Sequence, residues 1–76
     1  MSRSAHSDRY ERLKELLIAQ RKNAGMTQAT VAERLGKPQS FVAKYENGER
    51  RLDVVEFIEV AEAIGFKPSA LFDVLS

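Results

Sequence analysis

The chain has 76 residues, 43% hydrophobic and 30% charged, with a formal net charge of +1. That length builds one small domain with a modest core, whose stability is marginal unless it packs well or assembles. There is no cysteine, which excludes disulfides and thiolate metal sites, and no apolar run reaches the length of a membrane-spanning helix.

Residues 1–8 read as a flexible polar segment, without the apolar core of a signal peptide, ahead of a domain over 9–76. No stretch alternates apolar and polar residues at a period of two. Gly25, Gly36, Gly48, Gly65, Pro38 and Pro68 divide the rest into helical segments. The first helix is predicted over about 8–24, with Tyr10, Leu13 and Leu17 on one stripe, Leu16 beside it, and Gly25 as a left-handed stop. The second runs from 27 to about 35. Thr27 is its N-cap, and Met26 and Val31 form a hydrophobic staple across that cap. The third runs from 38 or 39 to 46, since Pro38 suits a first turn where its missing N–H costs nothing. Phe41, Val42 and Tyr45 are its larger apolar residues.

The fourth helix is predicted over 53–64, opened by a capping-box variant of Asp53 with Glu56. Its buried stripe is expected to be Val54, Phe57, Ile58, Ala61 and Ile64, with Glu56, Glu59 and Glu62 mostly outside. A short fifth helix over 68–75 carries Leu71, Phe72 and Leu75. The fold class is all-α, a compact five-helix bundle. Helices this short are unstable alone and must share one core.

Residues 27–47 hold a pattern with a mechanical meaning. A helix-turn-helix needs a small residue where its helices cross, and Ala32 is there. Four residues on, the chain must turn sharply, and Gly36 accepts the positive φ this requires. Six residues later an aliphatic locks the second helix onto the first, and Val42 is there, with Val31, Leu35 and Tyr45 completing the wedge. Charge is polarised around this segment. Residues 1–36 carry seven basic and four acidic side chains, residues 37–51 four and two, and residues 52–76 one and five. A basic front with an acidic rear suits a chain that offers one face to an anionic polymer.

With R-K-N-A-G-M-T-Q (21–28), K-Y-E-N-G (44–48) and A-I-G-F-K-P-S-A-L-F (63–72), the chain resembles the Cro/phage-repressor type of helix-turn-helix regulator, the xenobiotic-response-element (XRE) family, over about residues 13–72. The resemblance implies a lambda-repressor-like DNA-binding domain whose third helix enters the major groove. There Gln39, Ser40 and Lys44 would read base edges, as their donors and acceptors allow. The alternative for these three is a solvated polar face. Thr27, Gln28, Lys37, Asn47, Arg50 and Arg51 would lie along the phosphates. Gln28 is otherwise a plain first-turn residue, and Arg50 and Arg51 an exposed loop. Phe41 either touches a base or the backbone or packs over the turn. Arg21 falls on the inward stripe of the first helix, and the resemblance pairs it with Glu46 in a partly buried ion pair. The pattern departs from many relatives at Pro38, which lacks a capping hydroxyl. It departs again at Leu52, Asp53 and Val54, where some relatives place a basic residue.

One such helix reads few base pairs. A homodimer on a pseudo-palindromic operator is therefore expected, with half-sites about 34–36 Å apart. Phe66, Leu71, Phe72 and Leu75, with part of the fourth helix and Val74, are the candidate dimer interface; some of them belong to the core instead. The expected role is a transcriptional regulator, a repressor, in the cytoplasm of a bacterium or phage and associated with the nucleoid. No catalysis, metal or cofactor is expected: the only histidine, His6, stands in the polar N-terminal segment and no Gly-rich loop cradles phosphate. The rival reading is a protein-interaction module, an antitoxin-like or adaptor protein on the same fold. Without a second domain in the chain, control by a ligand is not expected.

Overall fold

A computed structural model of the chain describes residues 7–76. They form five helices and no strand: α1 Asp8–Asn23, α2 Gln28–Leu35, α3 Gln39–Glu46, α4 Val54–Ile64 and α5 Pro68–Leu75. Residues 1–6, the greater part of the segment expected to be flexible and including His6, lie outside the described residues.

Most helix boundaries have a visible chemical cause. The Ser7 hydroxyl accepts the Tyr10 N–H at 3.1 Å, and the Thr27 hydroxyl accepts the Thr30 N–H at 3.1 Å. Asp53 accepts the Glu56 N–H at 2.7 Å while Glu56 accepts the Asp53 N–H at 3.0 Å, a complete capping box. Pro38 and Lys67 open α3 and α5 without a side-chain cap. α2 ends at Gly36, whose φ of +69° is left-handed and strained for any residue with a Cβ. There the N–H groups of Gly36 and Lys37 donate to the carbonyls of Glu33 and Ala32 at 3.1 and 3.0 Å. These bonds turn the chain into α3 within three residues.

α2 packs across α3 and α4, α1 packs on α3 and α5, and α4 on α5. Leu17, Val31, Val42, Tyr45, Val60 and Leu71 are the largest side chains almost wholly removed from solvent. Each such aliphatic contributes about 1.5–3 kcal/mol by burial. Ala32 is buried in the α2 side of this core. Arg34 ties α2 to α4 by donating from Nη1 to the Ala63 carbonyl at 3.1 Å, a favourable place for a cation because carbonyls at a helix C-terminus carry negative partial charge.

Two expectations about burial are corrected. The buried face of α4 is Phe57, Val60, Ala61, Ala63 and Ile64, while Val54 is 69% exposed and Ile58 39%. Eight of the eleven positions of α4 are apolar, so its pattern contains more than one stripe, and the packing of α2 and α5 selects the face at 57, 60, 61, 63 and 64. Leu71, expected at a dimer interface, is 2% exposed and part of the core, so it has no surface to offer a second copy. Phe66 is half-buried with its ring edge-on to Phe57, and Leu75 is half-buried. Phe72 packs one side on Phe57 and leaves 49% of its surface exposed.

Candidate nucleic-acid interface

α3 is anchored along one side and open along the other. Val42 and Tyr45 are sunk in the core, while Gln39, Ser40 and Lys44 stand exposed. Ser40 and Lys44 are four residues apart and therefore one above the other on the same face. The loop after α3 folds back on it, the N–H groups of Glu49 and Arg50 donating to the Lys44 carbonyl at 2.9 and 3.3 Å. This satisfies the helix end and keeps Asn47 and Arg50, both exposed, beside α3, while Arg51 follows them in the exposed loop.

Behind that face lies the ion pair of Arg21 and Glu46. Arg21 Nε donates to Glu46 Oε2 at 2.7 Å and Nη2 to Oε1 at 3.0 Å. The two residues are 9% and 6% exposed. Arg21 Nη1 also donates to the Met26 carbonyl at 2.9 Å. α1, the α1–α2 turn and the end of α3 are thereby joined at one guanidinium, and the bond to Glu46 raises the Arg21 pKa further. Gln28 extends the network outward. Its Nε2 donates to Glu46 Oε1 at 2.9 Å, and its Oε1 lies 3.5 Å from Gln39 Nε2, a long hydrogen bond. An amide nitrogen has two hydrogens, so Gln28 keeps one donor for an outside acceptor. The neighbouring Tyr45 hydroxyl is buried without a partner among the described residues. Burial pushes its pKa well above the ordinary tyrosine value, the charge of Glu46 adding to the shift and that of Arg21 opposing it.

A second cluster surrounds Phe41. Its ring meets Tyr45 edge-on at 5.7 Å, and it is half-buried against the core. Lys37 Nζ lies 5.3 Å and Arg50 Cζ 5.0 Å from the ring centroid, close enough for cation–π attraction. Arg50 Nη1 and Nη2 donate to the two Glu56 oxygens at 3.0 and 2.7 Å. The Arg50 fork and then the Asp53 N–H hold the Glu56 pKa down to about 2. Arg51 stacks on Tyr10, Cζ 4.1 Å from the ring centroid, and the Tyr10 hydroxyl accepts the Leu52 N–H at 3.2 Å.

The structure thus places Gln28, Lys37, Gln39, Ser40, Phe41, Lys44, Asn47 and Arg50 on or beside α3, with Thr27 exposed at the start of α2, whereas the Arg51 guanidinium is turned to Tyr10 of α1. The sequence reading treated Glu56 as a cap alone. Its pairing with Arg50 spans six residues and a loop, a separation that no helical periodicity flags. Among the described residues no cluster of three His, Cys, Asp or Glu could hold a metal ion, and no helix is long and apolar enough to cross a membrane.

A short helix set across α2, joined to it by a three-residue turn and open to solvent on its polar face, defines a helix-turn-helix module. A family profile described as "Helix-turn-helix" matches residues 17–71. Among solved structures, an "XRE-family like protein" from Pseudomonas syringae pv. tomato is 54% identical, with a TM-score of 0.86, over 88% of this chain and 82% of that chain. No curated protein matches the chain. The chain belongs to the XRE family of helix-turn-helix proteins, and this membership supports a DNA-binding transcription regulator.

Proposed function

We propose that this protein is a non-enzymatic repressor that binds double-stranded DNA as a homodimer, α3 of each copy lying in the major groove of one operator half-site. The observation that carries the reading is the division of α3 into a locked apolar side and an exposed face of Gln39, Ser40 and Lys44. Gln39 presents an amide suited to an adenine edge, Lys44 a cation suited to guanine O6 and N7, and Ser40 a hydroxyl that donates or accepts. The backbone contacts fall to Thr27, Gln28 through its second amide hydrogen, Lys37, Asn47, Arg50 and Arg51; these fix register without reading sequence. Phe41 acts as the packed base between Lys37 and Arg50. The dimer interface uses Phe72 of α5 with the exposed Val54, Val55, Ile58 and Val74, apolar side chains that a monomer leaves in water, and the half-buried Phe66 and Leu75 complete it. The cellular place of such a protein is the cytoplasm, on the nucleoid.

Selection of bound sequences from a random duplex pool tests this, followed by a salt titration of the winner with wild type and Lys44→Ala. The expected result is an enriched inverted repeat, a steep fall of affinity with salt, and a loss of about 1–3 kcal/mol for the variant on its preferred base. No enrichment and no binding at low salt would refute the reading. The same exposed apolar residues on α4 and α5 would then favour a protein-interaction module instead.

A further inference from the structure

Arg50 is placed differently from the other cations around α3. Both ends of its fork are engaged by the two oxygens of Glu56 at 3.0 and 2.7 Å, and Nη1 also donates to the Arg51 carbonyl at 3.1 Å. Three elements meet at this point: the α2–α3 turn through Lys37, α3 through Phe41, and the first turn of α4 through Glu56. A carboxylate and a phosphate offer a guanidinium the same pair of acceptors, and both are taken bidentately.

The second oxygen of Glu56 has no role in capping. The capping box is closed by Oε1, which accepts the Asp53 N–H at 3.0 Å, whereas Oε2 is turned to Arg50 at 2.7 Å. Glutamine serves a capping box as well as glutamate does, but its amide nitrogen is a donor and cannot receive the second arm of the fork. The second oxygen of Glu56 therefore answers to Arg50 and not to the cap, while its charge serves both Arg50 and the N-terminus of α4.

We propose that Glu56 is an internal competitor for the DNA phosphate at Arg50: it fills the guanidinium fork in the free protein and is displaced when the α3 face meets a duplex. The proposal rests on the reading that α3 and its following loop face DNA. It makes Glu56 an affinity-setting residue that touches no base. Non-specific affinity follows the number of phosphates neutralised, each contributing about −0.9 to the slope of log K against log salt. Because Glu56 is displaced in the complex, Arg50 enters that count with or without it; what Glu56 subtracts, on any sequence, is the strength of the ion pair broken in each copy.

The test is Glu56→Gln, which keeps the cap and the fold while opening the fork, with a thermal melt as control. Fluorescence anisotropy is measured across a salt series on two duplexes, the selected operator and a random sequence. Arg50→Ala and the double variant complete a cycle. Glu56→Gln is expected to bind both duplexes about two- to fivefold tighter, as the strength of exposed ion pairs implies, with the slope of wild type, since Arg50 meets its phosphate in both proteins. In the Arg50→Ala background the gain disappears and the slope becomes shallower by about 0.9 per copy. A gain that survives in that background would reduce Glu56 to a distant charge and overturn the proposal. So would a slope steeper by about 0.9 per copy for Glu56→Gln, which would mean that Glu56 keeps Arg50 from the phosphate in the complex, or weaker binding by that variant, which would mean that Glu56 presents Arg50 to DNA. Wild type that binds neither duplex at low salt would overturn the underlying reading itself.

Discussion

Replacing Arg21 by alanine removes three hydrogen bonds at once, two to Glu46 and one to the Met26 carbonyl. It also leaves the buried Glu46 carboxylate with Gln28 as its one side-chain partner among the described residues. Breaking a buried pair from one side costs about 3–5 kcal/mol, because the remaining charge keeps its desolvation penalty without its partner. A domain of 76 residues has a total stability of about 4–11 kcal/mol at 0.05–0.15 kcal/mol per residue. The loss is thus a large fraction of the whole, and at about 4–8 °C per kcal/mol it lowers Tm by at least about 12 °C. Urea unfolding followed by circular dichroism measures it directly. DNA binding by Arg21→Ala is expected to fall in step with its folded fraction, since the guanidinium does not reach the α3 surface. Replacing both partners, Arg21→Met with Glu46→Leu, removes both charges and restores most of the stability. A single Arg21→Ala variant within about 1 kcal/mol of wild type would refute this account of what joins α1 to α3.

Tyr45→Phe deletes a buried hydroxyl without a partner among the described residues, so stability by thermal melt is expected to hold or rise by up to about 1 kcal/mol. A clear loss would reveal a bonded water at that oxygen. Gly36→Ala meets no atom within 4 Å of the new Cβ, so its expected cost of about 1–2 kcal/mol is backbone strain alone; an unchanged denaturant midpoint would contradict it. Glu56 titrates near 2 when folded, below its ordinary value of 4.5. Its stabilisation is therefore present above about pH 4.5 and lost as the pH falls toward 2. Melts between pH 5 and 2 are expected to show a shallower acid decline for Glu56→Gln, and identical profiles would count against the pairing.

Helix positions were legible because each segment begins or ends at a residue with a specific backbone role, such as Thr27, Gly36 or Asp53. The exposed face of α3 was legible for a related reason: Val42 and Tyr45 define an inward side, and Gln39, Ser40 and Lys44 fall on the other. Orientation failed where a helix carries more apolar residues than one face can bury. In α4, Val54 and Ile58 compete with Val60 and Ala63 for burial, and in α5 the adjacent Leu71 and Phe72 cannot both enter the core; local periodicity contains no information about which neighbour arrives. The Arg21–Glu46 contact joins residues 25 apart and followed only from family resemblance. The Arg50–Glu56 contact had no such guide, because Glu56 was already accounted for by its cap and its second partner depends on the path of the loop over residues 47–53.

The composition of the α3 face also bears on assembly. Of the cations near it, Lys37 and Arg50 flank Phe41, while Arg51 is stacked on Tyr10 of α1. That leaves Lys44 as the basic side chain on the exposed α3 face, with Gln39 and Ser40 as uncharged companions. Two bidentate contacts at about 1–3 kcal/mol each give one helix roughly 2–6 kcal/mol of base discrimination. Specific sites exceed non-specific ones by about 4–10 kcal/mol. A single copy therefore falls at or below the lower part of that range, and two copies on an inverted repeat span it. The apolar surface needed to join them is present on α4 and α5, at Val54, Val55, Ile58, Phe72 and Val74. Sedimentation at micromolar concentration is expected to show a dimer, and Val55→Asp or Phe72→Asp to weaken it together with operator binding. A monomer that still discriminates its site by 4 kcal/mol or more would break the link between the sparse α3 face and the need for a second copy.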